Sequence, residues 1–182
     1  MFIDFVIRSQ LENALLSFPT NLQEVKTFLT DAKRLGKNAL EELRQTIYLL
    51  RGDSLGGMSL TDAIAKLISD FSQTTDIAPN CKIHLHNPIP QRIEIVIYRI
   101  LEEALTNIAK HSNATAVQIT LECDNFSISL IIEDNGRGYN VKQNKAGFGL
   151  QGMRERAESL NGQFQITSKL GNGCRVIASL PL

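Results

Sequence analysis

The chain has 182 residues, with 19 basic and 19 acidic side chains and therefore no formal net charge at pH 7. This balance gives no general attraction to nucleic acid or to an anionic membrane surface, so we expect no direct nucleic-acid binding. The length suits one ordinary domain with an appendage, and 43% hydrophobic residues allow a substantial core.

The composition also bears on cellular location. No apolar run approaches the ~20 residues that cross a bilayer, and the short opening segment 1–7 is interrupted by Asp4, unlike a signal peptide. Cys81, Cys123 and Cys174 are widely spaced, and an odd count without a C-x-x-C motif argues against a disulfide framework or a zinc site. We expect a cytoplasmic chain with reduced cysteines, whose parent protein is attached to a membrane, if at all, through upstream segments.

Residues 1–53 predict a helical hairpin. A first helix is predicted over 2–17 and a long second helix, without proline, over 21–51. Alternating spacings of three and four define a narrow apolar seam on the second helix: Leu22, Val25, Leu29, Ala32, Gly36, Ala39, Leu43, Thr46 and Leu50. A seam of this kind favours a partner helix, so the hairpin predicts a homodimer. The alternative is an arm that packs on its own domain.

Residues 54–182 follow a glycine-rich linker and predict an α+β fold. The expected architecture is a two-layer α/β sandwich, in which helices cover one face of a mixed sheet. Helices are predicted over 59–76, 91–111 and 150–160, and strands over 81–86, 116–123, 126–133, 163–168 and 174–180. The hairpin turn at Asp124-Asn125 lacks the favoured glycine. Residues 135–149 are predicted to form a glycine-rich loop.

Polar side chains share one face of the predicted helix 91–111. Glu103, Asn107, Lys110 and His111 stand at i, i+4, i+7 and i+8. A carboxylate and a carboxamide one turn apart supply the oxygen ligands that Mg²⁺ prefers, and a cation one turn further on can meet phosphate charge. Taken alone, the same pattern is typical of a solvated helix face.

The segment 134–138, with the sequence Asp-Asn-Gly-Arg-Gly, directly follows an apolar predicted strand. A carboxylate at a strand end can accept a hydrogen bond from an exocyclic amine such as N6 of adenine. The two glycines allow a sharp turn and a close approach of the backbone to a flat base. A simple Asp-x-Gly turn remains the alternative for this segment in isolation.

The segment 147–153, Gly-Phe-Gly-Leu-Gln-Gly-Met, precedes a predicted helix. Backbone amides at a helix start can cradle an anion. The Gly-Lys-Ser/Thr ending of a Walker A loop is missing, and no parallel βαβ unit surrounds the glycines as in a dinucleotide fingerprint. A glycine-rich flap over phosphates is the favoured interpretation.

Together these segments resemble the ATP-binding domain shared by sensor histidine kinases, type II topoisomerases, MutL and HSP90. The chain looks most like the GHKL histidine-kinase branch paired with helix-turn-helix response regulators. Four segments resemble the family's N box, G1 box, G2 box and terminal hairpin, namely 103–107, 134–138, 147–156 and 171–182. Residues 39–51 resemble the second helix of the dimerisation hairpin.

The resemblance implies ATP and Mg²⁺ as cofactors. It implies that Asn107 ligates Mg²⁺ and that Glu103 polarises a metal-bound water or orients phosphoryl transfer. The other implied nucleotide contacts are Lys110 and His111 at the phosphates, Asp134, Gly136 and Gly138 at adenine, and Gly147, Gly149, Leu150, Gly152 and Met153 in the lid. Cys174 stands where the family usually has a threonine whose hydroxyl supports the adenine site through water, and a thiol is a weaker donor.

The activity implied is transfer of the γ-phosphoryl group of ATP to a protein histidine, and thence to an aspartate of a response-regulator receiver domain, under an upstream sensor domain. The chain departs from this pattern in its histidines, because residues 1–17 contain none and only His84, His86 and His111 occur. None resembles a phosphoacceptor. We therefore expect a partial dimerisation hairpin at 1–53, and a chain that binds ATP without phosphorylating itself.

Two other functions fit the sequence. The first is a nucleotide-responsive binding module without kinase activity, which the missing acceptor histidine favours. The second is a serine kinase of the anti-sigma-factor type, which shares the ATP fold, although the long hairpin counts against it. His84 and His86 lie on one side of a predicted strand, but because no third ligand is evident we expect a surface strand face there rather than a metal site.

Overall fold

The computed structural model describes residues 12, 22, 23, 25–33, 35, 36, 55, 57–85, 88–140 and 148–182. The chain divides into two compact units, Met1–Asp53 and Ser54–Leu182. In the first unit, residues 22–23, 25–33 and 35–36 are helical, in agreement with the long helix predicted from residue 21. Apart from helical Glu12, the predicted helix 2–17 lies outside the described residues, as does the seam beyond Gly36.

The unit Ser54–Leu182 is built, in its described part, from three helices and five strands. The helices are α1 (Leu60–Thr75), α2 (Gln91–His111) and α3 (Phe148–Glu158). The strands are β1 (Asn80–His84), β2 (Val117–Cys123), β3 (Ser127–Asp134), β4 (Gln163–Ser168) and β5 (Cys174–Pro181). They form one sheet in the order β1-β2-β3-β5-β4, in which only the β1–β2 pair is parallel. The predicted mixed sheet is confirmed.

Alternating apolar side chains bury one face of this sheet. Successive side chains of a strand point to opposite faces, and the buried set consists of Val117, Ile119, Leu121, Cys123, Ile128, Leu130, Ile132, Phe164, Val176, Ala178 and Leu180. The predicted stripe of α2 packs in the same core, where Ile97, Ile100 and Leu101 are fully buried. Because α2 buries this stripe, its polar side chains are left on the remaining part of its surface.

Local side-chain contacts explain where two elements begin and end. Ser59 caps α1, since its hydroxyl accepts a hydrogen bond from the Asp62 N–H at 3.1 Å. In the β2–β3 turn, the Asp124 carboxylate accepts the N–H groups of Phe126 and Ser127, both at 2.7 Å. These hydrogen bonds from the backbone to the Asp124 carboxylate stabilise the turn, which lacks the favoured glycine.

The start of α3 differs from the sequence prediction. The helix begins at Phe148, two residues before the predicted Leu150, so that Gly149 lies in its first turn. Glycine has a low helix propensity, which places it in a loop when the sequence is considered alone. Within the described ranges, no helix combines the length and apolar character needed to cross a membrane.

Candidate functional site

The polar face of α2 carries the first group of site residues. Glu103 and Asn107 lie one helical turn apart and are partly buried, whereas Lys110 and His111 are exposed in the last turn. The two oxygen-bearing side chains therefore lie where the helix meets the rest of the domain, and the two basic residues lie at its solvent-facing end.

Gly149 brings α3 against this face. A Cβ atom at Gly149 would collide with Oε1 of Glu103, and would lie 3.0 Å from its Cδ and 3.5 Å from Nδ2 of Asn107. The absence of a side chain thus lets the first turn of α3 contact the carboxylate and the carboxamide. Two motifs that are distant in the sequence meet at this point.

The remaining residues of the second glycine motif hold α3 in place. Met153 is fully buried in the core, and Leu150 is partly buried against it. A Cβ at Gly152 would lie 2.9 Å from Nη1 of Arg156, the flexible end of a long side chain. Gly147 lies outside the described residues.

Asn135 fastens the Asp134–Gly138 loop to the start of β2. Its Oδ1 accepts the N–H groups of Thr115 and Ala116, both at 2.9 Å, and its Nδ2 donates to the Thr115 hydroxyl at 2.9 Å. All the polar atoms of this carboxamide are therefore engaged within the protein. We assign Asn135 to the support of the loop.

The same loop rests on the C-terminal end of α2. The carbonyl oxygen of Ser112 accepts the Arg137 N–H at 2.7 Å, and a Cβ at Gly136 would collide with that oxygen. The Gly136 N–H donates to Oδ1 of Asp134 at 2.8 Å. Glycine at 136 is therefore required for the loop to lie this close to the helix that carries Glu103 and Asn107.

The loop also interlocks with the β4–β5 turn through the backbone. Gly138 and Gly173 adopt φ angles of +57° and +66°. A Cβ at Gly138 would collide with the Lys169 carbonyl oxygen, and one at Gly173 with the Asp134 carbonyl oxygen. The Gly173 N–H donates to the Gly136 oxygen at 2.8 Å. The turn and the loop therefore form one packed backbone unit.

Asp134 and Cys174 face each other in register across β3 and β5. Burial raises the pKa of Asp134, although the N–H groups of Gly136 and Cys174 donate to this carboxylate and lower it in part. Burial also raises the pKa of Cys174 to about 11, and the Asp134 charge contributes in the same direction. At neutral pH the Cys174 thiol is therefore protonated.

Two residues of this cluster, Tyr139 and Ser168, were missed by the sequence analysis. The Ser168 hydroxyl accepts the Tyr139 N–H at 2.9 Å and donates to the Gly173 oxygen at 2.7 Å. The Tyr139 side chain is partly buried beside Cys174 and Asp134. A large aromatic residue directly after the last glycine of the loop was a signal for Tyr139, whereas nothing in the sequence distinguishes Ser168 from other strand residues.

His84 and His86 lie apart from this cluster in the sequence. His84 is exposed at the end of β1, and His86 lies outside the described residues. Across the described ranges, no three His, Cys, Asp or Glu side chains are grouped so as to hold a metal ion.

Residues 92–182 match the profile of the family described as histidine kinase-, DNA gyrase B- and HSP90-like ATPase. The chain is 32% identical over 184 residues to the signal transduction histidine-protein kinase/phosphatase DegS of Brevibacillus brevis, covering 100% of this chain and 47% of that protein. It is 29% identical over 183 residues to the sensor protein VraS of Staphylococcus epidermidis, covering 100% of this chain and 51% of that protein. The chain thus spans about half the length of these curated relatives.

The fold is also found in solved structures. The histidine kinase domain of the Erythrobacter litoralis EL346 blue-light activated histidine kinase superposes with a TM-score of 0.59 at 16% identity, over 99% of this chain and 94% of that one. The Acinetobacter baumannii histidine kinase AdeS gives a TM-score of 0.57 at 17% identity, over 98% and 94%. At such identities the likeness shows a shared fold.

Proposed function

The chain belongs to the family of histidine kinase-, DNA gyrase B- and HSP90-like ATPases, and on this premise we propose that Ser54–Leu182 binds ATP with Mg²⁺ as the catalytic domain of a two-component sensor histidine kinase. The observation that carries the proposal is the contact of Gly149 with Glu103 and Asn107. It joins a helix start, which attracts anions, to two side chains with hard oxygen donors.

The base end of the proposed site is the loop after β3. Asp134 is partly buried, and its carboxylate, when ionised, can accept a charge-assisted hydrogen bond from the exocyclic amine of adenine. Because Gly136 and Gly138 have no side chains, the loop after Asp134 packs closely against the Ser112 and Lys169 carbonyl oxygens, and this fixed loop would form the floor for the base. Cys174, opposite Asp134, borders the same end.

The phosphate end lies between α2 and α3. The side-chain oxygen of Asn107 would hold Mg²⁺, and the Glu103 carboxylate would help to orient the phosphoryl transfer. Mg²⁺, when bound, neutralises phosphate charge. Backbone amides in the segment 147–153, together with Lys110 and His111, would contact the phosphate oxygens. The contribution of this chain to phosphoryl transfer is then positioning and charge stabilisation.

The first unit supports a dimeric parent protein. Leu22 and Leu29, two residues of the predicted seam, are 70% and 48% exposed in the single chain, and a second copy of the hairpin would cover such side chains. The proposed activity of the whole protein is transfer of the γ-phosphoryl group of ATP to a protein histidine, and then to an aspartate of a response-regulator receiver domain. An upstream sensor domain would control it.

The isolated chain is expected to bind ATP without forming phosphohistidine, because none of His84, His86 and His111 lies in the helical unit. Binding is measured by calorimetry, and phosphorylation by incubation with γ-labelled ATP. Acid-labile label on the chain would contradict the prediction. Acid-stable label on an added partner protein would favour a serine kinase instead, and loss of ATP binding would remove the basis of the proposal.

Replacement of Asn107 by alanine is expected to reduce the Mg²⁺-dependent part of ATP affinity by roughly 1 kcal/mol, the scale of one lost polar interaction. The affinity measured in excess chelator should stay the same. Asn80→Ala, which removes a carboxamide from the exposed edge strand β1, is the matched control and should change neither value. Equal Mg²⁺ dependence in Asn107→Ala and wild type would exclude this residue from the metal site.

A further inference from the structure

The hydroxyl group of Tyr139 is buried but unpaired. Its oxygen is shielded from solvent and makes no hydrogen bond to any residue in the described part of the chain. On folding, such a hydroxyl gives up its hydrogen bonds to solvent without gaining one to the protein, which costs free energy. Such groups are rare in folded proteins and call for an unseen water or ligand.

The neighbours of this hydroxyl leave one strong acceptor. Ser168 already donates its hydrogen to the Gly173 oxygen at 2.7 Å and accepts the Tyr139 N–H. The Cys174 thiol lies beside the phenol and interacts with it, but the phenol oxygen has no hydrogen-bond partner of regular geometry, and sulfur is a weak acceptor. The Asp134 carboxylate is also near enough for its charge to raise the pKa of Tyr139, and an ionised carboxylate is a strong acceptor.

Asp134 has acceptor capacity to spare. Its carboxylate accepts the N–H groups of Gly136 and Cys174, whereas two carboxylate oxygens offer about four acceptor positions. An exocyclic amine would take one of the remaining positions, and one further donor can be accommodated.

The phenol is suited to supply that donor. Burial raises the pKa of Tyr139 well above its ordinary value, and Cys174 and Asp134 raise it further. The hydroxyl therefore keeps its proton at neutral pH and can act as a donor. Tyr139 directly follows Gly138 in the loop proposed to contact the base, so that the donor lies at the base end of the site.

We propose that the Tyr139 hydroxyl is a nucleotide-positioning group of this chain, which through one ordered water connects the adenine base to the Asp134 carboxylate. This inference rests on the proposed ATP site and deepens it. A thiol is a poor donor, so Cys174 contributes little to the same network, whereas a hydroxyl at position 174 would compete for the task.

A double-mutant cycle tests the inference. Calorimetric affinities for ATP and ADP are measured for the wild type, Tyr139→Phe, Cys174→Thr and the double variant. Tyr139→Phe is expected to bind both nucleotides about three- to tenfold more weakly, the range for one lost hydrogen bond. Cys174→Thr should recover most of this loss in the Tyr139→Phe background, so that the two effects are not additive.

A matched control and a second readout separate binding from folding. Tyr98 is a partly buried residue of α2. Tyr98→Phe also removes one hydroxyl and should leave both affinities unchanged. Without nucleotide, the thermal midpoint of Tyr139→Phe should equal or exceed that of the wild type, because no hydrogen bond of the free protein is removed. A merely structural hydroxyl would give the reverse: a lower midpoint with unchanged affinity.

Each outcome decides between the two proposals. If the wild type binds ATP and Tyr139→Phe binds it equally well, the positioning role is wrong and the ATP site stands. If the wild type binds no ATP, both are wrong. Weaker binding of ATP and ADP in equal proportion, with recovery by Cys174→Thr, establishes the role.

Discussion

Replacement of Asp134 by asparagine is expected to weaken ATP binding about tenfold or more, the effect of a lost charge-assisted hydrogen bond. Asparagine keeps an oxygen that can accept the Gly136 N–H, which now donates to Asp134 at 2.8 Å. The asparagine NH2 group, however, is a hydrogen-bond donor like the exocyclic amine of adenine, so these two groups cannot pair. The substitution thus removes the recognition of the base while it preserves the local turn.

The same substitution should increase the stability of the nucleotide-free domain. Burial raises the pKa of Asp134 in the folded state, so the folded protein favours the protonated carboxyl more than the unfolded chain does. This contribution to stability is present below the ordinary carboxyl pKa and is lost as the pH rises through the raised one. At pH 7 the wild type therefore carries the cost of a buried charge, which asparagine removes.

These two effects are measured by ATP calorimetry and by denaturant unfolding at pH 7. Glu133→Gln is the matched control, since it removes the same charge from the adjacent residue, whose carboxylate lies 3.3 Å from the exposed Arg175. The control should bind ATP like the wild type, because successive side chains of β3 point to opposite faces of the sheet. Unchanged ATP affinity in Asp134→Asn would place the base elsewhere.

Replacement of Gly173 by alanine is expected to destabilise the domain by more than about 3 kcal/mol. The φ angle of +66° costs about 1–2 kcal/mol for a residue with a Cβ. In addition, the new Cβ would collide with the Asp134 carbonyl oxygen. The backbone of β3 would have to move away from the turn, at the end of the strand that carries Asp134.

Gly171→Ala separates the two causes of this loss. Gly171 has a φ angle of +78°, but a Cβ there meets no atom within 4 Å, so only the cost of the backbone conformation is expected, about 1–2 kcal/mol. Chemical denaturation of the two variants measures the difference. Similar losses in both would show that β3 and the turn are not tightly packed.

The elements that follow from local chemistry were predictable. The period of its apolar residues defined α2 from Gln91 to His111, and the same stripe is buried in the structure. The alternation of apolar and polar residues likewise predicted the strands, because one face of the sheet is buried. The order of the glycine motifs, rather than any one of them, indicated the family, because each motif alone has an ordinary structural explanation.

The contacts between elements were not predictable. Gly149 was assigned to a loop because its helix propensity is low, yet its lack of a side chain allows α3 to meet Glu103. Similarly, neither the unpaired hydroxyl of Tyr139 nor the bond from Ser168 to Gly173 follows from any sequence period. Both depend on which segments the folded chain brings together.

The interlock of Gly138 and Gly173 restricts how this domain can vary. A hairpin turn is ordinarily a place where insertions are tolerated, but the β4–β5 turn shares backbone hydrogen bonds with the loop that carries Asp134. Its length is therefore tied to the shape of the site. Length variation, or a fluorescent label for following nucleotide exchange, belongs instead at the β2–β3 turn, where Phe126 is 82% exposed.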